Sequence, residues 1–147
     1  MAKFVHRDCT EEAVALFTRF VERHGLTHEI DSEAPVEVMW HIPAQKGLSR
    51  PLTLGLQNRD ELNLGVEDFW SYFFPFDDVA QEFELILDKW VTGDARMGIT
   101  GKRGRILQLR DGDEWKTVYK ANGLPFFRPK PRAFIYNDPA YSNSTMT

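Results

Sequence analysis

Leu52, Leu54 and Leu56 alternate with Thr53 and Gly55, and shortly afterwards Leu62, Leu64 and Val66 alternate with Asn63 and Gly65. A period of two marks strands with one buried face. The polar stretch Gln57-Asn58-Arg59-Asp60-Glu61 between the runs closes them into a hairpin. With Leu56 facing Leu62, Leu54 faces Leu64 and Leu52 faces Val66. A slip of one residue would send one strand's leucines to the opposite face, so the register is strongly specified. Upstream, Val36, Val38, Trp40 and Ile42 alternate with Glu37, Met39 and His41, and Pro43 closes the run. Setting Trp40 against Leu54 adds a third strand. The face away from the leucines then carries two rows, Met39–Gly55–Asn63 and His41–Thr53–Gly65.

Two helices flank this hairpin in sequence. Asp8-Cys9-Thr10-Glu11 has capping-box form, with Thr10 an equally good cap. Ala13, Leu16, Phe17, Phe20 and Val21 follow at helical spacing up to Gly25, which predicts a helix over 10–24. Asp77-Asp78 opens a second helix whose stripe is Val79, Ala80, Phe83, Ile86, Leu87, Trp90 and Val91, ended by Gly93. Further strands are expected at about 96–100, 105–110 and 114–119. A three-residue turn at Asp111-Gly112-Asp113 would pair Leu109 with Trp115 and Arg110 with Glu114. From Asn122 on, Pro125, Pro129, Pro131 and Pro139 break the pattern. The expected architecture is α+β: a two-layer sandwich with one mainly antiparallel, curved sheet of five to six strands and both helices on its leucine face. A single domain would occupy 1–124, and 125–147 would be a tail, frayed at its end.

Between hairpin and second helix, Phe69, Trp70, Tyr72, Phe73, Phe74 and Phe76 crowd into one short segment. Aromatics dominate cores and interfaces alike. Core is the expected role, because the chain must cross the sheet edge there. The other role is a partner-binding anchor, since Trp and Tyr are enriched in hot spots.

Composition narrows the function classes. At 147 residues, 42% hydrophobic and 27% charged, the chain reads as globular. Cys9 is the only cysteine, which excludes an internal disulfide framework. The start, Ala-Lys-Phe-Val-His-Arg-Asp after Met1, does not read as a signal peptide. No apolar run approaches membrane-spanning length. A soluble, cytoplasmic protein is expected, with no cofactor, no metal and no membrane partner.

No motif names an activity. The stretch Gly98-Ile-Thr-Gly-Lys-Arg-Gly-Arg lacks the spacing of a phosphate-binding loop and the Ser or Thr that follows its lysine. Lys102, Arg103 and Arg105 form at most a weak anion site. His24 and His28 are separated by the helix-ending Gly25, and zinc ligation is not expected. Cys9 near a helix start, close to His6, reads as an inert thiol rather than a reactive one.

The primary expectation is a non-enzymatic binding module recognising a protein, inhibitor- or immunity-like by composition only. A homodimer is also open to it. An alternative is a small-molecule-binding or hydrolytic enzyme with a pocket near His41 and a carboxylate beside the imidazole. A third reading is nucleic-acid binding through loop 101–105 and the stretch 128–132 (Arg128, Lys130 and Arg132), against which the net charge of −4 weighs. Spatial convergence of the two basic segments would favour it. The candidate ligand- or partner-binding residues are His41, Met39, Thr53, Gly55, Asn63, Gly65, Trp70 and Tyr72. Strand-interior Gly55 and Gly65 mark a close approach by another group, either a ligand or the Phe126–Phe127 tail.

Overall fold

Residues 10–24 form the predicted helix α1 (Thr10–His24). Asp8 Oδ1 accepts from Thr10 N at 3.0 Å and from Thr10 Oγ1 at 2.6 Å. Gly25 ends the helix at φ 63°, which lets the Leu26 N–H reach the Val21 carbonyl at 2.8 Å. A computed structural model describes residues 7–121 and 130–142. They divide into two compact units. One contains the chain up to Pro43 with Pro51–Leu85, the other Ala44–Arg50 with the chain from Ile86 onward.

In the first unit, the strands are β1 (Glu29–Ile30), β2 (Val38–Ile42), β3 (Leu52–Gln57), β4 (Glu61–Val66) and β5 (Phe69–Trp70), antiparallel and in that spatial order. The register is the expected one: Trp40 lies opposite Leu54, Leu54 opposite Leu64, and Leu56 opposite Leu62. Val38, Trp40, Ile42, all the strand leucines and Val66 are buried. Helix α1 covers this face: the Phe17 ring meets Trp40 edge-on, centroids 5.6 Å apart. His28 stacks flat on Trp40 at 4.0 Å. Burying a large apolar side chain is worth roughly 1.5–3 kcal/mol, so this face carries most of the unit's stability.

Helix α2 (Phe76–Thr92) follows a cis Phe74–Pro75 bond. Its part up to Leu85 belongs to the first unit, where Phe83 packs edge-on against Phe73 at 5.6 Å and tilted against Phe17 at 6.4 Å. Ile86, Leu87 and Trp90, all fully buried, belong to the second unit. The apolar stripe therefore does not serve one sheet along its whole length.

The second unit holds β6 (Ala95–Thr100), β7 (Gly104–Asp111), β8 (Glu114–Ala121) and β9 (Ala133–Ile135), ordered β8-β7-β6-β9. The α+β class and antiparallel pairing match expectation, but the strands form two sheets of five and four strands rather than one. Within the second sheet β6 is flanked by β7 and β9, and the first sheet ends at β1 and β5, each only two residues long. The stretch expected as a tail thus supplies a strand, while Phe126 and Phe127 lie outside the described residues.

One turn also differs from expectation. Asp111 pairs with Glu114 and Arg110 with Trp115, so the β7–β8 loop is the two-residue Gly112-Asp113, with Gly112 at φ 62° supplying the left-handed position. Leu109 faces Lys116 instead of Trp115. The shift moves Trp115 to the face opposite Leu109.

Buried Asn137 anchors the second unit. Its Oδ1 accepts from Ser49 N at 2.7 Å and from Ser49 Oγ at 3.2 Å. Its Nδ2 donates to the carbonyls of Gly47 at 2.9 Å and Val91 at 2.8 Å.

Candidate functional site

The face of the first sheet away from the leucines is assembled as predicted, with Met39 opposite Gly55, Gly55 opposite Asn63, His41 opposite Thr53 and Thr53 opposite Gly65. β5 extends it, placing Trp70 against Gly65. A bridge between Leu62 and Phe73 carries the same register onward, which puts Tyr72 in the row of Asn63. The candidates therefore form two adjacent rows, His41–Thr53–Gly65–Trp70 and Met39–Gly55–Asn63–Tyr72.

The aromatic segment splits by parity. Phe69, Ser71 and Phe73 turn inward and are buried, whereas Tyr72 is 46% and Phe74 53% exposed and Trp70 is half-buried. The run is an edge strand with one core face and one outer face, so its density of aromatics reflects two separate roles.

The glycines have occupants from their own sheet. A Cβ on Gly65 would lie 2.8 Å from the Trp70 ring, and one on Gly55 would lie 3.1 Å from Asn63 Oδ1. Asn63 is fully buried and donates to the Ser71 carbonyl at 2.9 Å. Ser71 Oγ in turn accepts from Leu64 N at 2.9 Å and donates to Leu64 O at 3.2 Å. These bonds pin the aromatic edge, which makes Asn63 a support under the surface rather than part of it. Its Oδ1 has no donor among the described residues.

A concavity of about 350 Å³ lies beside Trp70, lined by Pro51, Thr53, Gly65, Glu67, Asp68 and Phe69. Glu67 turns the chain between β4 and β5 at φ 53°, a left-handed conformation that costs a residue with a Cβ on the order of 1 kcal/mol. His41 stands one row position from this hollow. Its Nε2 lies 3.4 Å from Asp31 Oδ2 and its Nδ1 3.5 Å from Thr53 Oγ1. Asp31 is held by donating its backbone N–H to Met39 O at 2.8 Å and accepting from Glu33 N at 3.1 Å. The order is carboxylate, imidazole, hydroxyl, with both imidazole contacts long.

The basic loop behaves differently from its reading as one anion site. Lys102 and Arg103 are exposed at the hairpin tip. Arg105 is buried and donates to the carbonyls of Gly104 at 2.8 Å and Gly101 at 3.4 Å, so it braces the loop. Arg128 lies outside the described residues; Lys130 and Arg132 are exposed. The Arg132 N–H donates to Ile99 O at 2.8 Å, which brings this stretch alongside the end of β6.

Cys9 is buried at the head of α1, and burial pushes its thiol pKa up, consistent with an inert group. His24 and His28 face different rings, Phe20 and Trp40. Asp31, Glu67 and Asp68 were not among the sequence candidates. Asp31 sits in an irregular stretch with no periodicity, and Glu67 and Asp68 fall in the turn between β4 and β5.

No helix among the described residues is long and apolar enough to cross a membrane. No protein-family model, curated protein or solved structure matches this chain.

Proposed function

We propose that this protein is a non-enzymatic module that recognises another protein through the outer face and aromatic edge of its first sheet. The observation that carries the reading is the outward set Trp70, Tyr72 and Phe74 on a single edge segment whose alternate residues are buried. Isolated exposed apolar residues are ordinary, but adjacent large aromatics mark contact surfaces. The hollow beside Trp70 offers a partner's side chain a concave seat against the indole ring. Phe74 and Tyr72 supply the apolar area around it.

The test compares wild-type protein with the Tyr72→Ser/Phe74→Ser double variant, both immobilised and exposed to an extract of the native cells. Both residues are about half exposed, and circular dichroism checks that the variant keeps the wild-type fold. A partner retained by wild type and lost by the variant is expected. Equal retention by both, or none by either, would sink the proposal.

A second reading, a hydrolytic enzyme, is favoured by the Asp31–His41–Thr53 series beside the same hollow. A hydroxyl activated by an oriented imidazole is the arrangement of nucleophilic hydrolases, and such contacts can be long before substrate binds. Turnover of an activated acetyl ester that disappears in both Thr53→Val and His41→Gln would support it. Turnover that survives Thr53→Val would be background imidazole chemistry and would end this reading.

A further inference from the structure

The second sheet has a face whose chemistry differs from the chain's net acidity. Pairing places Arg96 opposite Gln108 and Gln108 opposite Thr117, Arg110 opposite Trp115, and Gly98 opposite both Ile106 and Phe134. Lys120 lies opposite Ile106. By strand alternation these residues share the side away from Leu107 and Leu109. None of these positions on β6, β7 or β8 carries a carboxylate, and Asp111 and Glu114 pair on the other side.

Arg96 is the centre of this face. Its Cζ lies 4.1 Å from the Trp115 ring centroid and 3.7 Å from that of Phe134. Its Nε donates to Gln108 Oε1 at 2.8 Å, and Gln108 Nε2 donates to Thr117 Oγ1 at 3.2 Å. The guanidinium is therefore fixed in orientation, and among the described residues no carboxylate pairs with it. Burial pulls its pKa below the ordinary value. A partly desolvated cation without a counter-charge is costly, and an anionic ligand would relieve that cost. Around it Phe134 is 36% and Tyr136 58% exposed, and Lys120 and Arg132 are exposed.

We infer that this face binds single-stranded nucleic acid, with Trp115, Phe134 and Tyr136 offering stacking surfaces for bases and Arg96, Lys120 and Arg132 contacting phosphates. Stacking on aromatics together with a basic track is the general physics of single-strand binding. A single carboxylate would need Arg96 alone and would leave the exposed rings and the spread of cations unexplained. The net charge of −4 does not describe this face, whose strand positions hold Arg96, Arg110 and Lys120 and no carboxylate. The Arg132 N–H also bonds the Ile99 carbonyl at 2.8 Å, which sets this basic residue beside the end of β6.

The test titrates full-length protein into a fluorescein-labelled dodecamer of deoxythymidine, read by anisotropy at two salt concentrations. Saturable binding is expected, with log K falling against log salt at a slope of about −2 if three phosphates are contacted. Phe134→Ser/Tyr136→Ser and Lys120→Ser/Arg132→Ser should each weaken binding at least tenfold, and the second pair should also flatten the slope. Lys120, Arg132 and Tyr136 are exposed while Phe134 is 36% exposed, so the Lys120/Arg132 pair keeps the test decisive even where Arg96→Gln or Phe134→Ser is not tolerated. No binding at 50 mM salt with about 100 μM protein, variants that bind like wild type, or equal competition by polyglutamate would each overturn the inference. The last would identify an acidic-peptide site.

Discussion

Trp70 lies so close over Gly65 that a methyl group there would sit 2.8 Å from its ring and 3.3 Å from Thr53 Cβ. Gly65→Ala should therefore cost about 1–3 kcal/mol, despite the better strand propensity of alanine. The cost should fall by more than half in a Trp70→Ala background. Urea denaturation of the four proteins in this double-mutant cycle checks it, and additive effects would mean the indole yields freely. Asn137 sets a second residue-scale expectation. Replacing it by Asp turns two donated bonds into oxygens facing the carbonyls of Gly47 and Val91. Asn137→Asp should destabilise by about 3 kcal/mol or more, and more than Asn137→Ala. Thermal melts at pH 7 decide the order.

Among the elements, α1 and α2 are joined within the first unit by Glu84, which accepts from Arg19 at 2.9 Å and from Arg23 at 3.0 Å. The Arg19 hydrogen bond, then that of Arg23, outweighs burial and holds the Glu84 pKa below its ordinary value of 4.5. A depressed carboxylate contributes stability that is present above the ordinary value and lost as pH falls through the folded one. Glu84→Gln should therefore lower stability by up to about 1 kcal/mol at pH 7 and make stability between pH 4.5 and 3 less pH-dependent. Urea midpoints across that range measure both effects. Beneath this pair, Phe83→Ala should cost about 3–5 kcal/mol, because Phe83 is fully buried against Phe17 and Phe73. A loss under 1 kcal/mol in chemical denaturation would contradict the packing.

Legibility in the sequence differed among these elements for physical reasons. The β2–β3–β4 register could be read because every residue of the alternation agreed and a slip would have exposed leucines. The β7–β8 turn could not, since Asp111-Gly112-Asp113 permits two loop lengths, and the pairing of Asp111 with Glu114 selects the shorter. That single shift hid the Trp115–Arg96 stack. The site rows were legible, but their aromatic extension was not, because the density of Phe69–Phe76 masks its inward and outward parity. Asn137 stands alone among prolines and irregular chain, where no spacing signals a buried amide.

At the scale of the whole molecule, the chain passes between the units after Pro43, after Arg50 and after Leu85. The last passage falls inside α2, within uninterrupted helix. The helix is thus unbroken chain shared by the two units. Urea unfolding followed by far-ultraviolet dichroism and by fluorescence should trace one coincident transition. Trp40 and Trp70 report on the first unit, Trp90 and Trp115 on the second. Two separated midpoints would show the units to be independent. The threading also bears on inheritance. Neither unit corresponds to an unbroken stretch of gene, so no single recombination can excise, append or exchange one without leaving part of it behind. Variation can retune the aromatic edge and the basic face one residue at a time, but the two must be passed on together.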